Sequence, residues 1–457
     1  MKLCVKPSAM KRYLLVLTNT LLAMMLAGCV GYHPTPLPPT PNLRASLTSL
    51  NHTLPDGRTL DVAEPLSLQT VAALAVLNDP DLVAARAQHQ VGEATLLAAG
   101  MPPDPSITGG FAALLSGPGS MPALTGAFSQ DIGALITGPT DRAAARAGLQ
   151  QTDEDILWQE WQVAAKAEQL AISISAGHAT LDSLGQDDAL LGGIDQATLA
   201  QIAAHNLTSN EGVTALSALA TVQNAANSAA QIARQDENAL DALLGLQPHT
   251  PISLAAPDLT LPSPQVVQAA LASLPQRRPD LLALRYGYEQ SNEKLRAAIL
   301  SQFLPISIGG AGGRDSSGIW SAGPQFALTL PLFNRGRPAI KAAEASRAAL
   351  HAQYQAALDN AAGAAESLPQ QIALLLNQYQ AANAEAAQAQ TMAQRAARAY
   401  GAGQLSGPAY AILAALAGER QRNAITLRAQ LHNAELSLAT LLGFGLPQNA
   451  ALEHPAS

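Results

Sequence analysis

Nine histidines, two cysteines and one glycine-rich run are all that this sequence offers to metal, nucleophile and phosphate chemistry. His33, His52, His89, His178, His205, His249, His351, His432 and His454 are scattered, and none makes a ligand pair at helical spacing with a cysteine. No Ser, His and Asp are placed by a nucleophile motif. The run "GGAGGRDSSG", Gly309 to Gly318, lacks the Gly-Lys-Ser/Thr that a phosphate cradle requires and reads as a flexible loop. The expectation is therefore no enzyme, no cofactor and no resident metal.

One residue is set up for a covalent step. Lys2, Lys6, Lys11 and Arg12 precede an apolar run from Tyr13 to Ala27 that closes on "LAGC", Leu26 to Cys29. A basic start, a short apolar stretch and small residues at the end read as a secretory signal over residues 1–28, too short to favour a permanent membrane span. "LAGC" resembles the bacterial lipobox. That resemblance implies cleavage before Cys29, a diacylglycerol on its thiol and an acyl chain on its amine, and Val30 at the next position fits sorting to the outer membrane. Cys4 would leave with the signal, so the mature chain would hold one cysteine and no disulfide.

The remaining residues must be read for architecture. Charged residues are 13% and aromatics 4% of 457, which favours an elongated body whose helices pack through small side chains. The net charge is -8 with no Lys/Arg-rich run, so nucleic acid is excluded as a partner. Residues 29–64 are rich in Pro, Thr, Leu and Asn and read as a lipidated tether.

Beyond the tether the chain repeats. "NDPDL" at Asn78 answers "RRPDL" at Arg277, "PSITGG" at Pro105 answers "PISIGG" at Pro305, and "NLTS" at Asn206 answers "QLSG" at Gln404, at offsets of 199, 200 and 198. Two units follow, residues 65–246 and 265–443, with a Pro-rich linker over 247–264 and a tail over 444–457. The first is expected to hold strands near 106–115 and 122–134, a long helix over 139–205 and a returning helix over 207–246. The second is expected to hold strands near 306–314 and 321–333, a long helix over 338–403 and a returning helix over 404–443. Pro369 inside the second long helix is expected to kink or interrupt it, and Gly192 and Gly193 to soften the first.

Strand pattern decides the use of such a rod. In "GPQFALTLPLFNRGRP", Gly323 to Pro338, the side chains of Phe326, Leu328, Leu330 and Leu332 fall on one face, opposite Gln325 and Thr329. Ile107, Phe111, Ala113 and Leu115 likewise share a face, and Leu124 and Phe128 oppose Thr125 and Ser129. About ten residues suffice for a tilted strand to cross a bilayer. Four strands cannot close a barrel, and unpaired edges cannot face lipid, so insertion demands an oligomer.

On these residues the sequence resembles the bacterial outer-membrane efflux family, the TolC-like channels of tripartite pumps. The resemblance is carried by "RRPDLLALRYGYEQSNEKLRAAILSQFLPISIGG" (Arg277 to Gly310), by "GPQFALTLPLFNRGRP", and by "AYGAGQLSGPAYAILAALAGER" (Ala399 to Arg420) with its Tyr-x-x-Gly tip. "AAGMPPDPSI", Ala98 to Ile107, looks more like the heavy-metal cation efflux branch than the drug-efflux branch. The implied fold is mainly α with a small β part: a TolC-like α-barrel of long antiparallel helices in two internal repeats, plus four strands contributing to a trimeric, twelve-stranded transmembrane β-barrel. The implied partners are two further copies of the chain, outer-membrane lipid, a periplasmic adaptor and an inner-membrane transporter. Phe326, Leu328, Leu330 and Leu332 would meet lipid. At the periplasmic tips Glu211, Arg398, Tyr400 and Gln404 would hold the end shut, and the turns from Asn206 to Gly212 and from Gly401 through Gly403 to Gly407 would meet the adaptor. The alternative is a lipid-anchored periplasmic coiled-coil scaffold that never inserts, favoured by the scarcity of aromatics.

Overall fold

A computed structural model describes residues 32–444, apart from 56, 64, 114, 117–120, 260–263, 303–305, 329–332 and 335. The chain divides into residues 1–43 and 44–457. In the first unit the described residues, 32–43, form no helix or strand and are exposed.

The second unit is built from a short 3-10 helix (Leu47–Ser49), nine α-helices and four strands among the described residues. Its first half runs α1 (Leu68–Asn78), α2 (Pro80–Gly100), β1 (Ser106–Ala112), β2 (Ala123–Asp131), α3 (Ile132–Ala203) and α4 (Ser209–Leu243). The second runs α5 (Pro264–Ala272), α6 (Leu274–Arg277), α7 (Pro279–Ser301), β3 (Ile306–Arg314), β4 (Trp320–Leu328), α8 (Arg337–Gly401) and α9 (Gly407–Leu442). At about 1.5 Å per residue the 72-residue α3 is about 108 Å long. It packs against α2 and α7 near the strands and against α4 and α9 farther on, while α8 packs against α7 and α9.

The two halves start their inclined helices differently at equivalent positions. Pro80 and Pro279 each occupy a first helical position, where a missing N–H costs nothing. Ahead of Pro80, Asp79 is the cap, its Oδ1 accepting the N–H of Leu82 at 2.8 Å. Ahead of Pro279, Arg278 instead donates to both carboxylate oxygens of Asp280 at 2.9 and 2.6 Å and lies 5.1 Å over the Trp158 ring. The "RRPDL" motif thus ties the start of α7 to α3, and its arginine is buried because a bidentate partner and an aromatic face replace water.

The turns at the far end repeat more closely. In the second half Gly403 takes φ +71°, and the N–H of Gln404 donates to the carbonyl of Ala399 at 2.8 Å, closing α8 in a Schellman-type turn. In the first half His205 holds the equivalent place at φ +59°, with the N–H of Asn206 donating to the carbonyl of Gln201 at 2.9 Å. A β-carbon is disfavoured there, so His205→Gly is expected to stabilise the protein by about 1 kcal/mol, read as a raised midpoint in thermal unfolding of the detergent-solubilised protein. The return helices end alike, at Gly245 (φ +68°) and Gly443 (φ +72°).

Two expectations change. The first long helix begins at Ile132 rather than at Pro139, because Asp131, the last ladder residue of β2, caps it by accepting the N–H of Ala134 at 3.2 Å. Pro139 then lies inside it. Pro369 does not interrupt α8, which runs from Arg337 to Gly401. One lost hydrogen bond is outweighed there by the packing of Ala361, Ala365, Ile372 and Leu375 against Leu431, Ala434 and Leu438 of α9.

Candidate functional site

The four strands form one antiparallel sheet in the order β1-β2-β3-β4. Residues opposite one another in a ladder share a face. Ile107 faces Phe128, Phe128 faces Gly310, and Gly310 faces Pro324. One step toward the helices Ile308 faces Phe326, and Ile306 faces Leu328. At the loop end Phe111, Leu124, Arg314 and Trp320 stand in one row. One face of the sheet therefore gathers the large apolar side chains of all four strands. The other carries Thr108, Ala127, Ala311 and Gly323 in one row and Gly110, Thr125, Gly313 and Ser321 in another.

The apolar face has no cover among the described residues: Phe326 is 78% exposed, Ile107 79% and Ile308 53%. The small, polar face lines a concavity bounded by Thr108, Thr125, Ala127, Ala311, Gly323 and Gln325, with Arg314 and Asp315 at its loop end. Phe326 and Leu328 lie on the apolar face and Gln325 opposite, as the alternation predicts; Leu330, Leu332 and Thr329 lie outside the described residues. Among the described residues β1 and β4 each pair on one side only, so both edges of the sheet present free backbone donors and acceptors.

Close approach is built into this sheet by Gly309. A β-carbon there would land on the carbonyl oxygen of Phe128 in β2 and lie 2.8 Å from Cα of Ser129. Nothing in the spacing of "ISIGGAGG" marks which glycine is needed, since the requirement comes from the neighbouring strand.

At the tips, Asn206 donates from Nδ2 to Oε1 of Gln201 at 2.8 Å, and Glu211 lies in the first turn of α4. Gly212 is buried where a β-carbon would come within 2.5 Å of Ile202, so its lack of a side chain lets α4 close on α3. Arg398 is exposed in the last turn of α8. Tyr400 stacks on Tyr410 with ring centroids 5.3 Å apart, and burial, with Tyr400 adding to it, pushes the Tyr410 hydroxyl pKa up. Gly403 and Gln404 form the turn itself. Asn206, Gly403 and Gln404 thus bond within their own turns, and Tyr400 stacks across the turn. Sequence reasoning missed Tyr410, whose only signal was its place ten residues beyond Tyr400 across the turn.

Sequence reasoning also missed the polar link between the halves. Arg422 of α9 donates to Asp187 of α3 and to Ser183 at 3.4 Å, and Gly418 leaves room for the Asp187 carboxylate. Farther along α3, burial beside Ala167 and Ala171 pushes the Glu168 carboxyl pKa up to about 7. The protonated form is favoured in the folded chain, so stability falls as pH rises from the ordinary carboxylate value to about 7. Glu168→Gln is expected to melt higher than the parent at pH 8 and with it at pH 4; parallel melting curves across this range would contradict the assignment.

No helix among the described residues is long and apolar enough to cross a membrane, which leaves the sheet to be weighed separately. The model of the outer membrane efflux protein family matches residues 268–444. Among solved structures the chain is similar to the CmeC outer membrane channel of Campylobacter jejuni, at 17% identity and a TM-score of 0.71 over 83% of this chain and 86% of that one. It is similar to the outer membrane protein VceC of Vibrio cholerae, at 18% identity and a TM-score of 0.69 over 83% of this chain and 97% of that one. It is also similar to the open state of the MtrE outer membrane channel of Neisseria gonorrhoeae, at 18% identity and a TM-score of 0.64 over 92% and 98%. No curated protein matches the chain by sequence. Residues 268–444, most of the second repeat, are thus similar to the outer membrane efflux protein family, in a chain whose described fold is shared with these outer-membrane channels.

Proposed function

We propose that three copies of this chain form the outer-membrane exit duct of a tripartite efflux or secretion pump, passing small molecules or metal cations from the periplasm to the exterior. The observation that carries this reading is the sheet: one face large and apolar, the other small and polar, and both edges open. Lipid suits the first face and water the second, and pairing β4 of one copy with β1 of the next gives an antiparallel cylinder with no free edge. Apolar side chains also stand exposed on both flanks of the helical part, Val213, Leu216 and Ile232 on α4 and Leu374 and Met392 on α8, where neighbouring copies would cover them.

In this reading Cys29 anchors the chain by its acyl groups, a periplasmic adaptor docks at the turns around Asn206 and Gly403, and an inner-membrane transporter supplies the energy. The duct itself is passive. The scaffold alternative leaves Ile107, Phe111, Phe128, Ile308 and Phe326 in water, and the likeness to channels does not favour it. The test is extraction from outer membranes in mild detergent, with mass by light scattering and shape by single-particle imaging. A three-chain tube longer than about 100 Å is expected; a monomer or thin rod released without detergent would overturn the reading.

A further inference from the structure

The polar face of the sheet is nearly free of charge. Through Thr108, Thr125, Ser129, Ser321 and Gln325 the ladder gives it hydroxyl and amide groups, with glycine and alanine between them. Asp131, at the helical end of β2 and opposite Ser307, is the sole ionisable residue on that face among the four described strands. Its side chain is exposed, and one carboxylate oxygen is held by the N–H of Ala134 at 3.2 Å, which fixes where the charge sits.

Small uncharged groups neither narrow a bore nor favour one sign of solute, whereas a ring of carboxylates favours cations. The start of α3 offsets part of the charge, by roughly half an elementary charge against a full one, and leaves the carboxylate in surplus. We propose that Asp131 sets the charge preference of the barrel: three copies of it at the junction with the helices admit cationic and neutral solutes more readily than anions, while Arg314 and Asp315 at the loop end of the same concavity offset each other in charge. This rests on the exit-duct reading above and names the solute class for that duct.

The test uses the full chain in outer membranes. Ser129→Cys, two residues along the same face, is reacted with a cationic and an anionic methanethiosulfonate of similar size, and the rate ratio is normalised to that of a free thiol. The parent chain, whose cysteines are Cys4 and Cys29 alone, supplies the background. The cationic reagent is expected to gain about threefold or more from the nearby carboxylates. Adding Asp131→Asn, which keeps a capping side chain, should bring the ratio to about one. An unchanged ratio overturns the proposal and leaves the duct standing. Phe326→Cys tests the duct separately: it should resist both charged reagents, and modification as fast as at Ser129→Cys would overturn the assignment of faces.

Discussion

Gly309→Ala is expected to remove the assembled oligomer from outer membranes, whereas Gly323→Ala, on the same face of the adjacent strand, should leave it at the parent level. At Gly309 the added methyl group would coincide with the Phe128 carbonyl oxygen, which is backbone and cannot rotate away. β2 and β3 would have to part along the ladder that runs from Leu124 opposite Arg314 to Asp131 opposite Ser307. That ladder joins the two hairpins, so its loss separates the two repeats within the sheet. The cost is on the order of 3 kcal/mol or more per chain, the upper end for overpacking. At Gly323 nothing lies within 4 Å of the same methyl group. Unboiled gel electrophoresis of outer-membrane fractions reads the oligomer directly. Equal oligomer in both variants would mean that β2 and β3 do not approach as closely as the ladder implies.

Phe326→Arg and Gln325→Arg form the second pair, neighbours on β4 with opposite faces. Phe326 lies beside Ile308 on the apolar side, and a guanidinium placed toward lipid costs up to about 2–4 kcal/mol at mid-bilayer. Gln325 looks into the concavity, where an added charge remains in water. Phe326→Arg is therefore expected to lower oligomer yield and detergent stability, and Gln325→Arg to leave both near the parent. Comparable losses in the two variants would show that neither face meets lipid.

Much of this architecture is legible in the sequence because it is written at short range. The alternation around Phe326 marks a strand, and the recurrence of one landmark set about 198 residues apart marks two units; both are visible without knowing what packs where. The turn at Gly403 is signalled by its glycine. Its twin at His205 carries no such signal, since only the shared offset shows that a histidine holds a left-handed backbone there. Long-range relations are what the sequence hides. Whether Phe128 and Phe326 share a face depends on β3 between them, whose glycines at 309, 310, 312 and 313 give no alternation to count. The burial of Arg278 follows from Trp158, more than a hundred residues away, and the pairing of Arg422 with Asp187 from farther still. Pro369 leaves α8 uninterrupted for the same reason, because local propensity says nothing of the partner helix that holds α8 together.

The matched tip turns that end α3 and α8 make chain length a dimension that both repeats share. Each runs from a strand hairpin to a tip turn of the same geometry, and the return helices close on Gly245 and Gly443 at the same offset. A single residue deleted from one long helix would swing every later side chain by about 100° and drop its tip by about 1.5 Å relative to its twin. Shortening is harmless only when the same number of turns leaves both long helices and both return helices together. The helices thus act as a ruler with four coupled scales, and the span from the sheet to the tip turns can be reset only in whole heptads, in both repeats at once.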